Sequence, residues 1–232
     1  MSANRMQRLL AEGGGTAVLL AVVVGSGMMG EHLAQGNTAV ALFANAAATG
    51  AALYVLITLL APFSGAHFNP LVTVLKIVAG EMSVVDGICY VAVQVAGAVA
   101  GVVLAHAMFD LPLLQAGTHA RVGIGQWISE CVASAGLLGI ILLGQGTRPA
   151  ALPGLIGSYI FAAYWFTAST AFANPAVTIA RTFTDSFAGI RSSDVLGFIA
   201  AQFSGLLVAI LAMYWLRGRR PNDVAAAANV DK

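Results

Sequence analysis

Six apolar runs divide this chain, at roughly 9 to 29, 38 to 61, 84 to 108, 125 to 144, 151 to 168 and 194 to 216. A helix that crosses a bilayer needs about 20 mostly apolar residues, and each run meets or approaches that length. Inside hydrocarbon a backbone must satisfy its own polar groups, which only helices and closed barrels achieve. The runs therefore predict an all-α membrane protein with six transmembrane helices. Pro153 and Gly154 blur only the start of the fifth. Of the 232 residues, 59% are hydrophobic and 9% charged, and the mean hydropathy of +0.85 lies far outside the range of a soluble domain.

A net charge of +1, with eleven scattered Lys and Arg residues, excludes a nucleic-acid partner, because phosphate binding needs a concentrated basic face. Arg5 and Arg8 precede an apolar run as in a signal peptide, yet "VVVGSGMMGEHL" has no small-residue cleavage pattern, so it reads as a retained first span. The short ends predict one transmembrane channel domain over residues 1–232, without a soluble appendage. Cys89 and Cys131 sit in separate apolar runs, where packing is the expected role, and neither a disulfide framework nor a metal site is expected.

Two segments break the pattern. "HFNPLVTVLK" (67–76) and "FANPAVTIAR" (172–181) each carry Asn-Pro followed by only eight or nine helix-compatible residues. At 1.5 Å per residue such a piece spans roughly 12 Å, less than half of a hydrocarbon core of about 30 Å. Each can enter the membrane without crossing it. Landmarks also recur in one order: Glu12 and Glu130 lie 118 residues apart, Asn69 and Asn174 lie 105 apart, and Gln94 and Gln202 lie 108 apart. Three spans fill each half, so the second half starts on the opposite side, giving an inverted 3+3 repeat with halves near 1–110 and 120–232. Lys and Arg placement favours both termini on the cytoplasmic side: eight (Arg5, Arg8, Lys76, Arg148, Arg217, Arg219, Arg220, Lys232) would lie inside, against Arg121, Arg181 and Arg191 outside.

Pro70 and Pro175 occupy first helical positions, where a missing N–H costs nothing, and Asn69 and Asn174 stand where an N-cap belongs. Inversion places both starts near mid-membrane, with side-chain amides and positive dipole ends converging. Irregular backbone survives there only when buried or lining a watery cavity, so Gly65, Ala66, His67 and Phe68, and Thr170 to Ala173, are expected to present carbonyls to a lumen. Such a wall suits small neutral solutes and opposes cations. Carboxylates at Glu12 and Glu130 need partners at this depth; amides of the re-entrant loops are expected to supply them in preference to a proton relay. His67 is expected to fix its own loop, and Gly97, Gly101 and Gly205 to permit close helix packing. No nucleophile–base pair, phosphate loop or metal-ligand spacing occurs, which argues against an enzyme.

Taken together, "AEGGGT", "SGAHFNPLVT", "QVAGAVAG", "SECVASAG", "FANPAVT" and "AAQFSG" fall in the order of the major intrinsic proteins, the aquaporins and aquaglyceroporins, and the chain resembles that family over almost its whole length. The resemblance implies six tilted helices plus two re-entrant half-helices, no cofactor, and a homotetramer in the lipid bilayer with one pore per subunit. Two positions depart from the family pattern. Leu71 follows the first Asn-Pro where Ala is usual, and Val177 follows the second Asn-Pro-Ala where most relatives place Arg. Arg181, one turn later on the same face, is too far along to substitute by simple position.

Counted from those motifs, the remaining constriction positions resemble Thr49, Ala162 and Ala171. With Val177 they form a filter expected to be wide, weakly polar and uncharged. Val177 and the short termini resemble the bacterial aquaglyceroporins associated with arsenic resistance. That likeness implies a passive pore in the bacterial inner membrane for arsenite, which is trihydroxy-arsenic, and for methylated arsenicals. A general glycerol and water channel is the alternative, and a proton-coupled secondary transporter a more distant one.

Overall fold

The protein, seen in a computed structural model, is described over residues 3–216; Arg217, Arg219, Arg220 and Lys232, which entered the orientation argument, lie outside the described residues. Among the described residues eight α-helices follow in order: α1 Arg5–Ala34, α2 Thr38–Ser64, α3 Pro70–Val78, α4 Val84–Met108, α5 Ile124–Thr147, α6 Leu152–Phe166, α7 Pro175–Ala180 and α8 Val195–Leu216. Short polar residues set several starts. Asn4 caps α1 in a reciprocal capping box with Gln7, Asn37 caps α2, and Ser83 caps α4.

Among the described residues, five helices are long and apolar enough to cross a membrane, namely α1, α2, α4, α5 and the segment ending with α8. The sixth crossing is composite, because Pro149 and Pro153 prevent one regular helix. A 3-10 turn at Pro149–Ala151 leads into the 15 residues of α6, and at about 2 Å and 1.5 Å per residue the two reach about 28 Å. The half-helices are short: α3 has nine residues, and α7 has six before a 3-10 turn at Arg181–Phe183.

Packing repeats between the halves. α1 lies against α2 and α4 as α5 lies against α6 and α8, while α2 meets α6, and α3 meets α7, across the middle. Side-chain-free backbone permits the tightest of these contacts. A Cβ at Gly97 or Gly101 of α4 would strike the carbonyl of Gly13 or Ala17 of α1, and one at Gly205 of α8 would strike that of Cys131 of α5. Close approach replaces a hydrophobic driving force that lipid does not provide. Gly101→Val is therefore expected to cost about 1–3 kcal/mol or more by overpacking, read as a lower melting temperature in detergent; unchanged melting would show that α1 and α4 can separate freely.

Candidate functional site

Each half-helix starts at its Asn, and the two starts are tied to one another. Asn69 Oδ1 accepts from the Leu71 amide at 2.9 Å, and Asn174 Oδ1 from the amides of Ala176 and Val177 at 3.0 and 3.3 Å. The side-chain amides then cross over: Asn69 Nδ2 donates to the Ala173 carbonyl and Asn174 Nδ2 to the Phe68 carbonyl, both at 2.8 Å. Pro70 and Pro175 open the two helices. Leu71 is fully buried in the apolar core and stays off the cavity wall.

Behind each loop stands a carboxylate whose partners are now visible. Glu12 accepts from the amides of His67 and Phe68 at 2.9 and 2.8 Å, from Ser64 Oγ at 2.7 Å and from Gln94 Nε2 at 2.8 Å. Glu130 accepts from the amides of Phe172 and Ala173, both at 2.9 Å, and from Gln202 Nε2 at 2.6 Å. Gln94 also donates to Thr73, and Gln202 to Thr178, so the arrangement recurs in both halves, with Ser64 as an added donor in the first. His67 Nδ1 lies 3.1 Å from Thr73 Oγ1, and the imidazole sits 5.2 Å from the Tyr90 ring. Phe172 takes the equivalent place in the second loop.

Drawing the amides toward the carboxylates twists both loops into a left-handed path. Gly65, Ala66 and Phe68 have φ of 87°, 50° and 48°, and Thr170, Ala171 and Ala173 have 59°, 48° and 47°. For residues with a Cβ this costs of order 1–3 kcal/mol each and persists only when the surroundings enforce it. The opposite face of each loop carries the carbonyls. Among the described residues, those of Gly65, Ala66, His67, Thr170, Ala171 and Phe172 accept no hydrogen bond from the protein.

A cavity of about 310 Å³ is lined by Gly65, Ala66, His67, Ala171 and Phe172 of these loops and by both Asn residues. Leu19, Val23, Leu137, Ile141, Ile156 and Ile160 give it an apolar side. At one end Lys76 Nζ bonds Glu81 and Gln145, at 2.5 and 3.0 Å. Towards the other stand Thr49, Tyr164, Ala171, Phe172, Val177 and Arg181, with the Tyr164 hydroxyl donating to Thr49 at 3.4 Å.

Two expectations are corrected here. Ala162 is exposed and absent from the wall, which α6 lines with Ile156, Ile160 and Tyr164. Those three share a face at i, i+4 and i+8, whereas a residue two positions away points about 160–200° around the helix. Nor is the wall uncharged. Arg181 is 2% exposed and borders the cavity together with Val177; its side chain lies over the ring of Phe172, in the loop before α7. The guanidinium carbon lies 3.4 Å from the Phe172 ring centroid, with Nε donating to the Ala188 carbonyl. Sequence reasoning weighed Arg181 by backbone position, expected of Phe172 only a lumen-facing carbonyl, counted Arg121 only as an outer charge, and gave Tyr164 no part. The i+4 spacing from Val177 and the length of an Arg side chain were the available signals.

Arg121 backs the same ring at 4.9 Å and donates to the carbonyls of Gly189, Phe187 and Ser169. A strap holds it there. Gln115 and Gly117 donate to Phe183 and Thr182, Arg191 to His119, and the Thr118 hydroxyl to Asp185 at 2.6 Å. Through that hydroxyl and its own amide, Thr118 holds the Asp185 carboxyl below its usual range.

Half-helices meeting beside a cavity that is apolar on one side and polar on the other, inside a bundle of spanning helices, make a membrane channel. The family model described as Major intrinsic protein matches residues 1–144. Aquaglyceroporin AqpS of Rhizobium meliloti (strain 1021) is 51% identical over 210 residues, 90% of each chain. The lens fiber major intrinsic protein of Rattus norvegicus is 37% identical over 86 residues, 35% of this chain and 32% of its own. The X-ray structure of the aquaglyceroporin from Plasmodium falciparum matches with a TM-score of 0.67 at 17% identity, over 91% of this chain and 96% of that one, which speaks to the fold. The chain belongs to the major intrinsic protein family. It is a multi-pass membrane channel of the aquaglyceroporin kind, and not an enzyme.

Proposed function

We propose that this channel passes small neutral hydroxylated solutes, with trihydroxy-arsenic as its principal cargo and methylated arsenicals admitted beside it. The observation that carries the reading is Val177 on the cavity wall, directly after the second Asn-Pro-Ala. A short apolar side chain there leaves lateral room for a solute broader than water. Carbonyls without protein donors and two Asn amides replace the hydrogen bonds that a hydroxylated solute gives up on leaving water.

Glycerol is the second reading, since the same acceptors suit any compact polyol. Proton coupling is disfavoured, because both oxygens of Glu12 and of Glu130 are occupied by loop amides and Gln side chains. The pore lining on this reading comprises Gly65, Ala66, His67, Asn69, Thr49, Ala171, Asn174 and Val177. The protein acts as a homotetramer in the bacterial inner membrane, with both termini cytoplasmic. Passive flow lets the gradient set direction, so internally produced arsenite would leave the cell.

Stopped-flow swelling of proteoliposomes under arsenite, glycerol and water gradients tests this. Arsenite and glycerol permeabilities are expected to exceed those of protein-free vesicles by at least tenfold. Fast water flux with no arsenite flux would remove arsenite, and saturable uptake that needs a pH gradient would replace the channel by a transporter.

A further inference from the structure

We propose that Arg181 is the specificity residue of the mouth beside the α4–α5 connection: its terminal amino groups hold the oxygens of a hydroxylated solute, and its charge turns protons and other cations back. The inference rests on the channel reading above and adds a residue to it.

Arg181 is nearly buried, and it borders the cavity. Its Nε is taken by Ala188 and its planar face by Phe172. Among the described residues the two terminal amino groups donate to no protein atom, and neither is among the buried atoms sealed off without a partner. Buried donors are almost always paired, since desolvating one without an acceptor is costly. Donors that border a solvated passage find their acceptors in what passes. A planar fork suits a solute presenting two or more oxygens at once, and Tyr164 and Thr49 add hydroxyls on the same wall.

The charge is also uncompensated. Among the described residues the ion pairs are Arg5–Asp86, Arg8–Asp86, Lys76–Glu81 and Arg191–Asp194, none of which involves Arg181 or Arg121. Glu130, the nearby carboxylate, has both oxygens committed to Phe172, Ala173 and Gln202. Arg121, behind the Phe172 ring, adds a second positive group. Walls of low dielectric leave this field poorly screened, so a cation at this mouth meets repulsion that a neutral solute does not.

Proton leak and glycerol flux measured on the same proteoliposomes, with a trapped pH dye, decide the matter. The natural sequence, despite Val177, is expected to pass glycerol while holding protons as tightly as protein-free vesicles. Arg181→Met is expected to raise the ratio of proton to glycerol permeability at least tenfold, and Arg181→Lys, which keeps the charge, to stay tight. A leaky natural protein, a tight and glycerol-conducting Arg181→Met, or an Arg181→Lys as leaky as Arg181→Met would each overturn the proposal. If Arg181→Met passes no glycerol at all, Arg181→Gln decides: leak with glycerol flux supports the role of the charge here, and tightness with glycerol flux refutes it. Absence of glycerol and arsenite flux in the natural protein would instead defeat the channel reading itself.

Discussion

Glu130→Ala is expected to abolish solute flux and to lower the melting temperature by about 6 °C or more. The carboxylate is the acceptor for the amides of Phe172 and Ala173 and for Gln202 Nε2. A buried donor left without its partner costs about 1–3 kcal/mol, so three of them cost about 3–9 kcal/mol. Each kcal/mol moves the midpoint of a chain this long by about 2–4 °C. Thr170, Ala171 and Ala173 would also be free to leave the left-handed region, which would reorient the Ala171 and Phe172 peptides that border the cavity. Glu130→Gln keeps one acceptor oxygen and should fall between the two. Melting in detergent and glycerol flux in proteoliposomes check this, and a Glu130→Ala protein that matches the natural one in both would show that the loop holds its own shape.

Val177→Arg is the second large effect. The new side chain would enter the wall one turn from Arg181 on the same face, with roughly 6 Å between the two backbone positions along the axis, and two guanidinium groups at about that spacing would repel. At an effective dielectric constant of about 20 their repulsion is about 3 kcal/mol. Loss of space adds to it, so arsenite and glycerol permeabilities are expected to fall at least tenfold while water falls less. Stopped-flow comparison of the three solutes reads the difference. An equal loss for every solute would point to misfolding or to a constriction elsewhere.

Much of this was legible from the chain alone, because a carboxylate or an Asn-Pro pair inside an apolar run is costly and therefore conspicuous. Glu12 and Glu130, and Gln94 and Gln202, recur in the same order in the two halves, and each Glu takes the loop amides that inversion brings near together with its Gln. What escaped depended on three dimensions. Counting back without gaps from the motifs put Ala162 on the wall, whereas α6 turns Ile156, Ile160 and Tyr164 toward the cavity. Arg181 was judged by where its backbone sits, although a long flexible side chain can carry its charge back by a full turn. Phe172 is an ordinary apolar letter, and only the two guanidinium groups against its ring give it a part to play.

The crossed Asn bonds also bear on how the protein comes into being. Asn69 finds its acceptor 104 residues later, and Phe68 its donor 106 residues later. At a synthesis rate of about 5–20 residues per second, the first loop waits about 5–20 s for its counterpart to emerge. Neither half can finish its own interior alone, so a nascent chain stopped after α4 would leave the insertion machinery with an open seam and an amide still seeking its mate.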